Sequence, residues 1–189
     1  MPMISFSPIG TIHTPYTSLH APFQPQPHAA GEFWITLGKE YLPGLRQLDA
    51  YRYIYVVYFM DKIISPPADL LVTPPWAGGY EVGLFASRSP QRPNPIGLSI
   101  VEIKAIEGSD IIISGIDAFN GTPLLDIKPY SLSLDSKPDA NDGWLELHPD
   151  KEHCLAHLLN TAHEHGELRP TSPSHPHPHA TGHSRHHHD

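Results

Sequence analysis

Apolar and polar residues alternate in short runs through most of this 189-residue chain. MISFSPIGTIH alternates and stops at TPY. EFWITLG reads as a short strand ending at Gly38, after a proline-rich loop over 22–27. YRYIYVVYFM, residues 51–60, is a continuous aromatic and β-branched run, the pattern of a strand buried on both faces. YEVGLFAS leads into a proline-rich stretch. LSIVEIKAIEGSDIIISGIDAF then alternates on both sides of Gly108-Ser109, a hairpin signal. LLDIKPYS follows, and GWLELHP closes the domain. Many short strands with turn punctuation predict an all-β barrel or sandwich.

Helical periodicity is weak before residue 150. KEYLPGL offers one turn, stopped by Pro43. PDKEHCLAHLLNTAHEHG predicts a C-terminal helix within 148–168: Pro149 and Asp150 start it, Leu155, Leu158, Leu159 and Ala162 form one stripe, and Gly166 ends it.

Apolar residues make up only 39% of the chain and prolines number 22, and the apolar shortage concentrates after Arg169. Residues 169–189 hold almost nothing but Pro, His, Ser, Thr and Gly, too little apolar surface to offset chain entropy, so a disordered tail is predicted. No apolar run approaches the roughly 20 residues that span a bilayer. MPMISFSPIGTIHTPY lacks the basic and apolar regions of a signal peptide, so a cytoplasmic protein is expected. One cysteine, Cys154, leaves no internal disulfide and no CxxC motif. The net charge is −8 and the acidic excess holds through Leu147, so an RNA partner has to meet a local basic patch. Neither GxGxxG nor GxxxxGK[ST] occurs, which removes a Rossmann dinucleotide site and a P-loop.

Two stretches carry candidate chemistry. In RSPQRPNPIGLS, residues 88–99, Pro90, Pro93 and Pro95 stiffen the backbone, Asn94 both donates and accepts, and Gly97 permits close approach. Arg88 and Arg92 offer planar forks for carboxylate or phosphate. The loop reads equally as an anion or cofactor clamp, or as a barrel corner whose arginines pair with local acids. In GIDAFNGTPLLDIKPY, residues 115–130, Asp117, Asn120 and Thr122 surround an Asn-Gly turn, and Asp126, Lys128 and Tyr130 alternate onto one strand face. An acid, an amine and a phenol on one face can handle protons. An Asp-Lys pair at that spacing is also a common surface salt bridge, the plainer reading of the trio taken alone.

Together with IGTIHTPY near the N-terminus, these two stretches resemble the TsaA-like (TrmO) family over roughly residues 4–130. The resemblance implies a single β-barrel domain over 1–147, a small helical extension over 148–168 and a His/Pro-rich tail over 169–189. It implies an S-adenosylmethionine-dependent methyltransferase that methylates N6 of threonylcarbamoyladenosine beside a tRNA anticodon and acts as a homodimer. Carried over residue by residue, it places Pro22, Phe23, Gln24, Met60, Asp61, Arg92, Asn94, Ala118, Phe119 and Asn120 against the methyl donor. Asp117, Lys128, Tyr130 and Arg88 fall around the reacting centre, with Asp117, or Tyr130 beside Lys128, removing the acceptor's proton.

The chain departs from the family pattern at Phe23, where Arg is expected, at Met60 for His, at Asn120 for Asp, and at Trp76 for a basic residue. Three of these remove positive charge, which keeps a small-molecule methyl acceptor open beside tRNA. Twelve of the fifteen histidines lie at or beyond His148. The tail histidines His175, His177, His179, His183, His186, His187 and His188 predict weak Ni, Zn or Cu binding, and a non-catalytic metal-handling protein is the remaining alternative. His153 and His157, at i and i+4, read as the polar face of the helix.

Overall fold

The computed structural model describes residues 3–17, 21–22, 24–63 and 69–159. Six strands form one antiparallel sheet: β1 (Gly10–His13), β2 (Trp34–Leu37), β3 (Tyr53–Phe59), β6 (Ile96–Glu107), β7 (Asp110–Ile113) and β8 (Thr122–Pro129). Their order is β1-β2-β7-β6-β3-β8, and β8 pairs back onto β1, with Ile12 opposite Thr122, so the sheet closes into a barrel. Two short strands, β4 (Leu71–Val72) and β5 (Val82–Gly83), pair separately.

The period-two alternation decides what fills the barrel. Ile12, Ile35, Leu37, Ile54, Val56, Val101, Ile111, Ile113 and Leu124 all turn inward and are buried. Phe33, Ile116 and Ala118 seal the core from connecting segments. Each fully buried aliphatic side chain of this size contributes on the order of 1.5–3 kcal/mol. The hairpin expected at Gly108-Ser109 forms: Glu107 faces Asp110, and Gly108 takes a φ of 63°, a conformation that favours glycine.

Several sequence expectations are corrected. The 51–60 run is buried on one face only, because an antiparallel barrel strand has a single inner side; Ile54, Val56 and Tyr58 point in while Tyr53, Tyr55, Val57 and Phe59 point out. In MISFSPIGTIH only Gly10–His13 pairs as a strand, and YEVGLFAS supplies only β5 before a 3-10 turn over Leu84–Ala86. Pro43 lies inside a 3-10 helix over Lys39–Leu45 instead of stopping it, and its carbonyl accepts the Arg46 N–H at 3.4 Å. GWLELHP is no strand but a 3-10 turn over Gly143–Leu147. A short helix, α1, spans Leu132–Asp135, and the C-terminal helix, α2, covers Lys151–Leu159. The predicted end at Gly166 and the whole tail lie outside the described residues. Among those described, no helix is long and apolar enough to cross a membrane.

Candidate active site

Antiparallel pairing gathers four strand ends at one side of one mouth of the barrel. The pairs Ile12–Thr122, Tyr58–Leu124 and Phe59–Ile96 put the end of β1, the start of β8, the end of β3 and the start of β6 there together. At this mouth HTPY and DAFNGT are laced together. Thr14 Oγ1–H donates to the Ala118 carbonyl at 2.9 Å, and the Thr14 N–H donates to Asn120 Oδ1 at 3.2 Å. In return the Asn120 N–H donates to the Tyr16 carbonyl at 2.9 Å. Asn120 thus does the work of a side-chain acceptor, which the aspartate of the family pattern would also do. Ala118 is buried and Phe119 half-buried; the Phe119 carbonyl accepts from Thr122 Oγ1–H at 2.7 Å.

This lacing fixes Asp117 with its carboxylate inside the mouth. Its Oδ1 accepts from Ser99 Oγ–H at 3.0 Å and from Tyr58 Oη–H at 3.2 Å, and the two hydroxyls lie 3.2 Å apart. Burial pushes the Asp117 carboxyl above the ordinary carboxylate range, against the pull of Ser99, Tyr58 and the Arg88 guanidinium. The Tyr58 phenol is pushed up by burial and by Asp117, so it stays a proton donor at neutral pH. Tyr16 is raised in the same way, by burial first and by Asp117 second. The Tyr58 ring lies where a side chain at Gly97 would be: a Cβ there would come within 2.1 Å of it. Gly97 therefore lets the ring reach the carboxylate.

The loops around the mouth carry the candidate donor contacts. The 24–29 segment crosses directly over Gly115, where a Cβ would meet the Gln26 carbonyl. Pro22 is half-buried, Gln24 donates to the His157 carbonyl at 3.1 Å, and Phe23 lies outside the described residues. The Met60 N–H donates to the Pro95 carbonyl at 2.8 Å, joining the end of β3 to the proline-rich loop. Asp61 Oδ2 pairs with Lys62 at 3.0 Å, while Asp61 Oδ1 is buried and accepts no hydrogen bond among the described residues. Asn94 is exposed, and its carbonyl accepts from the Ile96 N–H at 2.7 Å.

The two arginines divide their roles. Arg92 Nη1 donates into its own loop, to the carbonyls of Ser87 at 2.9 Å, Ser89 at 3.3 Å and Leu84 at 3.4 Å. Through Nη1 it staples the loop that carries Arg88. Arg88 stays exposed and donates no hydrogen bond among the described residues, while its charge acts on Asp117 and Tyr58.

Lys128 and Tyr130 lie elsewhere. Along β8 they sit toward the opposite end from Thr122, six to eight residues on, a run of about 20 Å or more. Lys128 pairs with Asp126 at 2.7 Å on the outer wall, and the Tyr130 ring packs against Tyr53 and Tyr55. Neither is a partner of Asp117. The sequence reading missed Tyr58, Ser99 and Thr14, although all three stand in stretches it quoted. The available signal was a phenol and hydroxyls at inward positions of otherwise apolar strands.

His153 and His157 meet edge to face at 4.6 Å on α2, and no group of three metal-binding side chains exists among the described residues. The tail histidines from His175 to His188 lie outside them.

The chain is 35% identical over 175 residues to a probable S-adenosyl-L-methionine-binding protein of Archaeoglobus fulgidus, covering 90% of this chain and 46% of that one. It is 34% identical over 164 residues to the tRNA (adenine(37)-N6)-methyltransferase of Escherichia coli, covering 82% of this chain and 70% of the relative. A crystal structure of TrmO superposes with a TM-score of 0.62 at 31% identity, over 75% of this chain and 64% of that one. The chain thus spans less than half of the first relative and under two thirds of the crystallised one. Residues 11–136 match the family described as the tRNA-methyltransferase O N-terminal domain, a span that holds every strand but the first residue of β1 and the whole Asp117 network, and the chain belongs to that family.

Proposed function

We propose that the protein is an S-adenosylmethionine-dependent methyltransferase acting on N6 of an adenine beside the anticodon of tRNA, with threonylcarbamoyladenosine as the acceptor. The observation that carries this reading is the half-buried Asp117 carboxylate, held by Ser99 and Tyr58 at the mouth of a barrel of the methyltransferase family. The site fits the donor: Asp61 Oδ1 is a buried acceptor in want of a donor, as the hydroxyls or ammonium of S-adenosylmethionine would provide. Pro22, Phe23, Gln24, Met60, Asn94 and the 118–120 turn complete the proposed donor site.

Bound there, the donor supplies an electrophilic methyl group on a sulfonium. The chain's own part is to align, exclude water and move one proton. An amide-like N6 nitrogen is a poor nucleophile until it is deprotonated. Asp117, whose proton affinity burial raises, would take that proton and leave the nitrogen able to accept the methyl group that the donor would supply. Ser99 and Tyr58 hold the carboxylate in place, and with the Arg88 charge they oppose the rise that burial causes.

We propose a homodimer of cytoplasmic location. The outer face of β3 and β6 supports the dimer: Phe59 opposite Ile96, Val57 opposite Leu98 and Tyr55 opposite Ile100 form an apolar stripe, with Leu98 56% exposed. A second reading, a small-molecule acceptor, draws on the net charge of −8. Titration with S-adenosylmethionine in a chelator tests the donor site; one equivalent bound per chain is expected, and no binding moves the metal-handling reading forward. A salt-dependent gel shift with threonine tRNA then separates the two acceptors. Deleting 169–189 should leave methyl transfer intact.

A further inference from the structure

Residues 143–159 lie beyond the family-matched span, yet they touch two of the loops that build the site. The Trp144 ring stacks on Trp76 at 5.6 Å and on Tyr80 at 5.7 Å, with interplanar angles of 16° and 12°. Its Nε1–H donates to the Ala86 carbonyl at 2.9 Å. Ala86 closes the 3-10 turn whose Leu84 and Ser87 carbonyls Arg92 also holds, two residues before Arg88.

The segment is anchored behind this contact. His148 Nδ1 accepts the Asp150 N–H at 3.0 Å, which makes Nε2–H the donor to the Ala77 carbonyl at 3.2 Å. The same Nδ1 lies 3.3 Å from Cys154 Sγ, so the thiol donates there. Cys154 is fully buried, and burial, with Asp150, raises its thiol above the usual range, so it packs as a neutral group. α2 then carries the chain to the His157 carbonyl, which accepts from Gln24. One continuous stretch thus grips the 84–89 loop at one end and the 24–29 segment at the other.

We propose that Trp144 is a positioning residue for donor binding, the working contact of a C-terminal clasp that orders the Arg88 loop and the Gln24 loop. The proposal rests on the reading of those loops as the donor site. It also accounts for Trp76, where the family pattern has a basic residue: here the position stacks against a residue that the family domain does not contain. Loops ordered in advance lose less entropy when a ligand arrives, so the clasp acts on affinity.

The test compares the full chain with Trp144→Phe and Trp144→Ala by S-adenosylmethionine titration, and by amide hydrogen exchange without ligand. Trp144→Ala should bind the donor roughly tenfold more weakly, the effect of one lost hydrogen bond together with its stacking. Exchange should quicken in 84–89 and 24–29 while the barrel strands keep their protection. Trp144→Phe, which keeps a ring but no N–H, should fall between the two and decides the matter if the alanine variant does not fold. Equal donor affinity in all three proteins overturns the clasp, as does faster exchange spread evenly over the barrel. Absence of donor binding by the unaltered chain overturns the donor-site reading instead, and this assignment with it.

Discussion

Asp117 and Asp126 stand nine residues apart in one motif and live in opposite surroundings. Asp117 faces the barrel mouth and takes its hydrogen bonds from Ser99 and Tyr58, with only the exposed Arg88 as a cation acting on it. Asp126 faces out; its side chain is 46% exposed and its partner Lys128 65% exposed at 2.7 Å. Water screens the outer pair, and pairs of that kind contribute about 0–1 kcal/mol. Desolvation acts on the inner carboxylate instead and raises its proton affinity, as the general-base role proposed for it requires. The ion pair is the more conspicuous feature of the two. The half-buried carboxylate is the one whose proton affinity the fold raises.

Asp117→Asn breaks the comparison most severely. Loss of the base should reduce methyl transfer about 10²- to 10⁴-fold while donor binding persists. Full activity in this variant would remove Asp117 from the mechanism. Stability should move the other way. Because the folded state raises the Asp117 pKa, its contribution is present below the unfolded carboxylate pKa and is lost as pH rises through the folded value. Asp117→Asn should therefore melt higher than the unaltered protein at pH 7, with the gap narrowing as the pH falls toward the carboxylate range. A gap that widens on acidification contradicts the burial argument.

Gly97→Ala comes next. The new methyl meets the Tyr58 ring, so the variant should lose about 1–3 kcal/mol in chemical denaturation and displace Tyr58 from Asp117. Unchanged stability would mean that the ring moves aside freely and anchors nothing. The smallest effect belongs to Lys128→Ala, expected to alter stability by less than about 1 kcal/mol and activity by about twofold at most. A much larger loss of activity would bring Lys128 to the reacting centre from a second copy of the chain, since its own mouth lies at the far end of β8.

The sequence by itself determined the strand-rich fold, the hairpin at Gly108-Ser109 and the two stretches that line the mouth. All of these depend on local alternation, turn chemistry or residue identity. It also placed Asp126 and Lys128 correctly on one strand face, a matter of period two alone. Which face looks inward was decided only by the closed sheet. A bulge between Val57 and Tyr58 sets Tyr58 opposite Leu124 and Val57 opposite Asp126, leaving Leu125 over; the shift turns Leu124 into the core and Asp126 to the solvent. Tyr58 likewise meets Asp117 across 59 residues of chain, and Trp144 meets Ala86 across 58. Contacts of such separation leave no local pattern, because each partner satisfies its own strand or turn equally well without the other. Only barrel closure, driven by burial of the inward aliphatic faces, brings them within hydrogen-bonding distance.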